Sequence, residues 1–414
     1  MYLFKEQVTW KMHLPLLVTV STHPLDNSGQ VDIYTAHYDR QRCFEETRSG
    51  KFSVYVGGSW FPRSIFGRMM AVCAYIRCIL AAIKLSFDSR RQQYDVIIVD
   101  QVSAVIPFLK ALTSARILFY CHFPDLLLAQ RRSTVHSIYR APIDWIEQST
   151  TGQADHILVN SEYTKRIFAE TFSRLDRRGI IPSVLYPAVV IPNNAALTKS
   201  RSSWQKDLPE KAVTLLRGGP TFLSINRFER KKRIEIAIEA LDLLIKDKKV
   251  SKKSPQIVIA GGYDPRLPEN VEYLRDLGKL AARHGIRDSV AFLPSFSDSQ
   301  KAALMAGCIG VIYTPPGEHF GIVPLEAMAA GRAVVACNSG GPRESIVDGE
   351  TGYLCQPTAK SFASAMKSLM DESTAERLGA QAREHVQKKF SRNAFGKRLN
   401  DIVISLANQK SKIQ

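Results

Sequence analysis

The sequence predicts an α/β protein made of two Rossmann-like domains that face a cleft. Its 414 residues are more than one hydrophobic core usually organises, and they suit two domains of roughly 200 residues each. Strand-like and helix-like runs alternate along the chain, which is the pattern of βαβ units around a parallel sheet. Several strand-like runs end in polar residues, and open α/β sheets bind ligands beyond the carboxyl ends of their strands.

Composition and charge limit the class of partner. The chain is 45% hydrophobic and 23% charged, as expected of a folded globular protein, and its net charge is +17. A balance this basic favours anionic partners such as phosphates or acidic lipids. A nucleic-acid-binding protein would also show a basic face with interleaved aromatic residues or a known module, and neither is found. We therefore expect no nucleic-acid partner.

The seven cysteines are scattered and odd in number, and no C-x2-C pair occurs. Neither a disulfide framework nor a zinc site is indicated, and we expect no metal or other cofactor. Reduced thiols are typical of proteins on the cytosolic side of membranes.

One apolar helix, residues 69–87, is a candidate for membrane contact. Arg77 and Lys84 interrupt it, and a membrane-spanning helix would bury both charges at considerable cost. A helix that lies in the interface and extends its cations to water costs less. The interfacial helix is the favoured interpretation, and a buried core helix and a spanning helix stay open.

The first domain, residues 1–200, supplies one half of the expected site. Polar residues follow its strands, among them Asp100, Gln101, His122 and Asp125. Its strands are expected at residues 14–22, 31–36, 52–56, 94–100, 116–121 and 156–160.

The connection between the first two strands is too short for the expected topology. Neighbouring parallel strands need a crossover of about a dozen residues or more. Residues 23–30 supply only eight. The sequence therefore predicts a shortened or altered loop, and with it an impaired half of the cleft.

The second domain, residues 212–390, follows a Pro-, Ser- and Lys-containing segment at about residues 187–211 that is expected to link the domains. Its first strand leads into Arg227, Lys231 and Lys232, directly before a helix. Because cations at a helix N-terminus oppose its dipole, we expect these side chains to face a bound anion. A solvated run of charge is the alternative.

Residues 313–346 are expected to hold the donor ligand. Pro324 suits the first turn of a helix, so the helix is predicted to begin at about Val323 and to place Glu326 in its first turn. A buried strand follows, and then Gly340 and Gly341, whose N–H groups are expected to be bare at a second helix N-terminus. Carboxylates beside such a phosphate site suit sugar hydroxyls, which need fixed acceptors.

Missing motifs exclude several enzyme classes. The dinucleotide fingerprint G-x-G-x-x-G and the P-loop are both absent. No D-x-D occurs, which argues against a transferase that holds a nucleotide diphosphate through a metal ion. The leaving diphosphate would instead be neutralised by Arg227, Lys232 and the amides of Gly340 and Gly341.

Glu318 and Glu326, separated by seven residues and followed by Gly340-Gly341, resemble the E-x7-E and Gly-Gly signature of the retaining family 4 glycosyltransferases, which have the GT-B fold. The resemblance implies that Glu318 holds the donor hexose and Glu326 the nucleotide ribose. It also implies that a C-terminal helix, in the segment of residues 391–414, crosses back to the first domain.

The resemblance is sharper still to the α-1,3/1,6-mannosyltransferases of asparagine-linked glycan assembly. It is carried by DIYTAHYD, FYCHFPDLLL, YRAPIDWIE, SINRFERKK, AGGYD and EHFGIVPLEAM. This resemblance implies GDP-mannose as donor and a dolichyl-diphosphate-linked Man-GlcNAc2 acceptor. It implies a location at the cytosolic face of the endoplasmic reticulum membrane, beside other mannosyltransferases of the pathway.

The resemblance also assigns roles to residues. Arg227 and Lys232 are expected to bind the donor diphosphate, and His122 is expected at the reacting centre with Glu318. Retention of configuration is implied, and front-face displacement is the preferred mechanism. A covalent intermediate would require a carboxylate, and Asp100 and Asp125 are the candidates. The remaining expected donor contacts are Phe320, Gly321, Ile322 and Val323, and the acceptor-side residues are Asp100, Gln101 and Asp125.

Two alternatives remain at this point. The chain could be a related nucleotide-sugar transferase that acts at another step. It could also be a catalytically impaired, membrane-associated partner of the pathway that still binds GDP, because its first connection is so short.

Overall fold

The computed structural model describes residues 16–21, 30–39, 45–48, 50, 52–65, 69–89, 93–128, 134–193, 208–248, 250 and 254–411. The chain divides into two compact units. The first unit combines Met1–Pro187 with Arg392–Gln414, and the second is Ala188–Ser391. The division after Pro187 falls where the expected linker begins, and residues 194–207 of that linker lie outside the described residues.

The first unit is built on a seven-stranded sheet with the order β3-β2-β1-β4-β5-β6-β7. This order, in which the strands progress outward in both directions from the first, is that of doubly wound nucleotide-binding folds. The strands are β1 (Leu16–Ser21), β2 (Gln30–Thr35), β3 (Ser53–Val56), β4 (Val96–Asp100), β5 (Arg116–Cys121), β6 (His156–Val159) and β7 (Ser183–Val184).

Strand β1 corrects the expectation of a parallel neighbour for β2. It pairs antiparallel with both β2 and β4, whereas the other paired strands of this sheet run parallel. Antiparallel neighbours need no crossover, so a short connection is sufficient. The connection itself, residues 22–29, lies outside the described residues. The carboxyl end of β1 therefore lies at the sheet edge opposite to that of β4. The expectation of an impaired half of the cleft stays a prediction.

Helices cover the sheet of the first unit. The apolar faces of α2 and α3 pack against the sheet with Phe168 and Phe172, which are fully buried. Gly57 lets the chain approach α2 closely, since a Cβ there would lie 2.8 Å from the Ala81 Cα. The helices are α1 (Glu45–Arg48), α2 (Met70–Asp88), α3 (Ile106–Leu112), α4 (Asp125–Leu128), α5 (Thr134–Thr151), α6 (Glu162–Thr171) and α7 (Ser173–Asp176).

Helix α2 is the one helix among the described residues that is long and apolar enough to cross a membrane. Two of its three charged residues, Arg77 and Lys84, contact other parts of the first unit. Arg77 is buried and donates to the carbonyls of Ala36 (2.8 Å) and Gly58 (3.4 Å), and the Lys84 ammonium lies 5.9 Å from the centre of the Tyr55 ring. The helix thus uses one side for the core, while Met70 and Phe87 on it are exposed.

The second unit has a six-stranded sheet in which all paired strands are parallel, in the order β10-β9-β8-β11-β12-β13. The order reverses between β8 and β11, and such a switch point is where open α/β sheets bind ligands. The strands are β8 (Thr221–Ile225), β9 (Gln256–Gly261), β10 (Val290–Pro294), β11 (Gly310–Tyr313), β12 (Ala333–Cys337) and β13 (Gly352–Cys355).

The helix after β8 shows why this unit folds as the sequence predicts. Ile234, Ala237, Ile238, Leu241 and Leu244 recur at helical spacing and all are buried in the core of this unit. The helices of the unit are α8 (Glu210–Gly218), α9 (Glu235–Lys246), α10 (Pro268–Arg283), α11 (Asp298–Gly307), α12 (Ile322–Ala329), α13 (Pro342–Ser345), α14 (Ala359–Leu369) and α15 (Glu372–Lys389).

The C-terminal helix α16 (Arg392–Ser411) packs on the sheet of the first unit, as predicted. Leu399, Val403 and Leu406 are buried there beside Val96 and Leu118 of β4 and β5. The first and the last described elements, β1 and α16, therefore belong to the same unit.

Candidate active site

The donor-side group of residues lies at the carboxyl edge of the second sheet, at its switch point. Arg227 and Lys232 follow β8, and Glu318 follows β11. These two strands are neighbours, paired in parallel through Phe222 and Gly310. Sheet topology therefore brings together side chains that are far apart in sequence.

Lys232 and Glu318 form the closest ion pair of this group. The Lys232 Nζ lies 2.5 Å from Glu318 Oε2, and Lys232 is buried. Burial alone would raise the pKa of Glu318, but the Lys232 charge, with further hydrogen bonds from Lys232 and Tyr313, outweighs it and lowers the pKa. The Lys232 backbone is fixed as well, since its carbonyl accepts from Thr314 Oγ1 at 2.7 Å. The site thus holds an ionised carboxylate beside a cation.

Tyr313 and Gly321 shape the loop that carries Glu318. Tyr313 is buried, and its hydroxyl hydrogen-bonds to Glu318. Gly321 has φ +81°, and a Cβ there would lie 3.3 Å from the Tyr313 ring. Phe320 is buried, with its ring centre 6.0 Å from that of Phe390. Gly321 and Phe320 therefore support the loop in the structure.

Glu326 lies one position deeper in its helix than predicted. Helix α12 begins at Ile322, with Gly321 as its N-cap, so Glu326 is its fifth residue and no acidic residue occupies the first turn. Its carboxylate pairs with Lys301 of α11 instead, at 2.9 Å. Of the two expected contact residues at the helix start, Ile322 is exposed and Val323 half-buried. Glu326 therefore lies just beyond the first turn in which it was predicted.

Lys301 was missed by the sequence analysis, although its helix is strongly fixed. Ser297 and Gln300 form a capping box at the start of α11. Arg332 donates to the carbonyls of Met305 (2.7 Å) and Ala306 (2.6 Å) near its end. A capping motif is visible in sequence, but nothing local in the chain signals that Lys301 meets Glu326.

The two exposed cations of the donor group share one carboxylate. Glu229 lies 3.0 Å from Arg227 Nη1 through one oxygen and 3.0 Å from Lys231 Nζ through the other. Arg227 is 61% exposed. A Cβ at Gly262 would lie 3.2 Å from the Arg227 Cγ, so a glycine leaves room for this side chain. Both cations are thus oriented by Glu229 and remain accessible to a ligand.

The expectation of bare amides at the glycine pair is wrong for Gly341. Its N–H donates to the Glu318 carbonyl at 2.8 Å, and α13 is only four residues long. Gly340 has φ +64°, and a Cβ at either glycine would clash with the backbone of residues 318–320. The glycine pair therefore locks the loop that carries Glu318, because only glycine permits this approach.

On the first unit, His122 and Asp100 form a pair at the carboxyl edge of the sheet. The His122 Nε2 lies 2.7 Å from Asp100 Oδ1. Asp100 is buried, and burial raises its pKa against the opposing effect of His122. The His122 ring also contacts Tyr120 edge to face, with ring centres 4.7 Å apart. Asp100 therefore fixes the imidazole rather than presenting its own carboxylate, while about a third of the His122 side chain is exposed.

Gln101 and Asp125 both have polar partners within the first unit. Gln101 has φ +63°, and its side-chain amide accepts from the His122 N–H (3.1 Å) and donates to the Phe123 carbonyl (2.9 Å). The Asp125 carboxylate lies 3.0 Å from Arg140 Nη2. Glu147, which the sequence analysis did not select, accepts the N–H groups of Asp125 (2.7 Å) and Leu126 (3.0 Å).

Comparisons with known families divide along the same boundary as the two units. The model of the family "Glycosyltransferase Family 4" matches residues 23–183. The model of "Glycosyl transferases group 1" matches residues 209–385.

The curated relatives match nearly the whole chain. The alpha-1,3/1,6-mannosyltransferase ALG2 of Mus musculus is 46% identical over 91% of this chain and 89% of its own length. The protein of the same name from Dictyostelium discoideum is 43% identical over 92% and 91%. The chain belongs to the α-1,3/1,6-mannosyltransferase family. This membership confirms the resemblance found in the sequence and the assignment to the glycosyltransferases.

Solved structures of remote relatives confirm the GT-B fold class. Sucrose-phosphate synthase from Thermosynechococcus elongatus superposes with a TM-score of 0.63 at 21% identity, over 85% of this chain and 83% of its own. A UDP-forming trehalose-phosphate synthase from Burkholderia xenovorans gives a TM-score of 0.63 at 13% identity, over 95% and 91%. At such identities the likeness concerns the fold alone.

Proposed function

We propose that this chain is a retaining mannosyltransferase. It transfers mannose from GDP-mannose to a dolichyl-diphosphate-linked Man-GlcNAc2 acceptor and forms α-1,3 and α-1,6 branches. The observation that carries the proposal is the identity of more than 40% to relatives of that name over about nine tenths of both chains. Because the matched length includes both units, it includes the residues of both the donor-side and the acceptor-side groups.

The donor-side geometry supports a nucleotide-sugar ligand. Arg227 and Lys231 offer accessible cations, and Lys232 adds a buried cation beside Glu318. In the proposed reaction Arg227 and Lys232 stabilise the charge that develops on the leaving diphosphate. Glu318 accepts mannose hydroxyls, and Glu326, oriented by Lys301, accepts ribose hydroxyls. The described residues contain no group of three or more His, Cys, Asp or Glu suited to a metal ion.

On the acceptor side, His122 is proposed to act at the reacting centre. The buried Asp100 carboxylate holds one ring nitrogen, so the ring orientation is fixed before the acceptor arrives. A histidine held in this way is suited to accept or share the proton of an acceptor hydroxyl. We expect His122→Ala to lower kcat at least about 100-fold while GDP-mannose binding is unchanged.

We propose a location at the cytosolic face of the endoplasmic reticulum membrane, close to the other transferases of the pathway. The six cysteines among the described residues are free and buried, as in a reduced compartment. Helix α2 keeps Arg77 and Lys84 against the protein, which leaves Met70 and Phe87 as exposed apolar residues on it. This arrangement supports a helix that lies against the membrane over one that spans it.

The test is to incubate the purified chain with GDP-mannose and a lipid-linked Man-GlcNAc2 diphosphate, and to weigh the products. Addition of two hexoses is expected, also in the presence of a metal chelator. A matched reaction with UDP-glucose or UDP-N-acetylglucosamine should add nothing. Addition of a different sugar would identify a related transferase, and no addition with GDP still bound would refute the proposed activity.

A further inference from the structure

Residues 122–126, which begin with His122, are held from two sides, by the half-buried Gln101 and the buried Glu147. Gln101 binds the backbone of His122 and Phe123 through both ends of its amide. Glu147 binds the N–H groups of Asp125 and Leu126 through both of its oxygens. Two side chains therefore fix four backbone groups in a stretch of five residues.

Glu147 is suited to this task only as a carboxylate. Its Oε1 accepts from Asp125 at 2.7 Å and its Oε2 from Leu126 at 3.0 Å, and an ionised carboxyl group is the side chain that offers two acceptors without a donor. Hydrogen bonds from N–H groups to a charged acceptor are about twice as strong as neutral ones. Protonation would turn one of the two oxygens into a donor that faces an N–H group.

The scaffold behind Glu147 is rigid. Its own carbonyl accepts from Ser103 Oγ at 3.2 Å, which ties helix α5 to the segment after β4. Arg140 of the same helix forms two ion pairs: its Nη2 lies 3.0 Å from Asp125 Oδ2 and 3.1 Å from Asp144 Oδ1. Loss of one Glu147 hydrogen bond therefore changes the loop rather than the helix that carries Glu147.

We propose that Glu147 is a positioning residue for transfer: its ionised carboxylate holds residues 122–126, and through them His122, in the geometry that the reaction needs, and its protonation releases them. The inference rests on the proposed function of the chain. Glu147 is the last residue of the segment YRAPIDWIE and belongs to neither the E-x7-E nor the Gly-Gly signature.

The electrostatic surroundings place this titration near neutrality. Burial raises the pKa of Glu147 to about 7, against the lowering effect of the two N–H groups and of Arg140, while the Asp125 charge raises it. The titratable and charged groups that face this carboxylate are Tyr75 of α2, Cys121 of β5, Asp125 of α4 and Arg140 of α5. Asp144 of α5 pairs with Arg140.

Activity and stability should respond to pH in opposite directions. An acid with a raised pKa in the folded state makes that state more stable as the pH falls through this pKa. Unfolding driven by Glu147 is thus excluded as the cause of an activity loss below pH 7. With a pKa of about 7, the ionised fraction rises about tenfold between pH 6 and pH 8.

The experiment compares Glu147→Gln with the wild type and with Glu162→Gln, the same change at an exposed position of α6. Glutamine keeps the shape but can accept only one of the two N–H groups. At pH 8 we expect kcat of Glu147→Gln to fall at least about tenfold, with the KM for GDP-mannose unchanged. The wild type and Glu162→Gln should gain about tenfold in kcat from pH 6 to pH 8, and Glu147→Gln should lose this gain.

Amide hydrogen exchange supplies a readout besides activity. In Glu147→Gln the amides of Asp125 and Leu126 should lose protection, while those of the second unit keep it, which also shows that the variant folds. Equal kcat and equal pH profiles for Glu147→Gln and the wild type would overturn the inference. If the wild type transfers no mannose, the proposed function fails and the role of Glu147 in transfer fails with it.

Discussion

Replacing Lys232 with methionine tests the donor-side pair directly, because methionine keeps the length of the side chain and removes its charge. The Lys232 ammonium lies 2.5 Å from the Glu318 carboxylate, which is 24% exposed. Removing one partner of a fully buried pair costs about 3–5 kcal/mol. Because water reaches part of Glu318, we expect Lys232→Met to lower the free energy of unfolding by about 2 kcal/mol at pH 7.

The loss of stability in Lys232→Met should become smaller as the pH falls. Lys232 lowers the pKa of Glu318 below its ordinary value of 4.5, although burial alone would raise it. A lowered pKa stabilises the folded state above the ordinary pKa, and this contribution is lost as the pH falls. The difference in stability between wild type and Lys232→Met should therefore be largest at pH 7 and shrink toward pH 4.

The assay is urea unfolding of the wild type, Lys232→Met, Glu318→Gln and the double variant at both pH values. The double variant should be more stable than the two single changes predict, with a coupling energy of about 0.5–3 kcal/mol. Turnover of Lys232→Met should fall about 100- to 1,000-fold, because a cation at the developing diphosphate charge is lost. The reasoning would be refuted if the stability changes of the two single variants added up to that of the double variant. It would also be refuted if the difference in stability between wild type and Lys232→Met did not change with pH.

Two further changes test the supports of the donor-side residues. Lys301→Met should raise the Kd for GDP-mannose about tenfold, because Glu326 loses the ammonium group that lies 2.9 Å from its carboxylate. Titration calorimetry would measure the Kd, with Lys279→Met, a change at an exposed lysine of α10, as the control. Equal affinities of the two variants would exclude a role for Lys301. Gly340→Ala should destabilise the second unit by more than about 2 kcal/mol, because the new Cβ would clash with the Glu318 carbonyl. Gly349→Ala shares the positive φ but has open space around it, so equal melting temperatures of the two variants would contradict the clash.

Much of the fold could be predicted from the sequence because its signals are local. The buried face of α9 and that of α16 follow directly from helical spacing. The direction of β1 could not be predicted in this way. An apolar run has the same appearance in either direction, and only its pairing with β2 and β4 decides which end faces the site.

The sequence predicted which residues lie near one another in the site better than it predicted the contacts that each of them makes. Lys232 and Glu318 form an ion pair, and Arg227 follows the same strand as Lys232, because the order of the strands places their loops at one edge of the sheet. The side-chain amide of Gln101 and the backbone N–H of Gly341 were expected to contact ligands, but they form hydrogen bonds to neighbouring loops. Lys301 and Glu147 were missed since a supporting side chain is recognised only by the atoms it contacts, 25 and 22 residues away in the chain.

These contacts also bear on the chemistry of retention. A covalent intermediate requires a carboxylate that is free to attack, and Asp100 and Asp125 were the candidates. Asp100 is buried and bound to His122, and the Asp125 carboxylate is bound to Arg140 with the Tyr75 hydroxyl at 3.5 Å. Using either as nucleophile would break an ion pair and leave a buried cation or imidazole without its partner. Front-face displacement needs no such carboxylate, so the structure favours it as the mechanism of the proposed transfer.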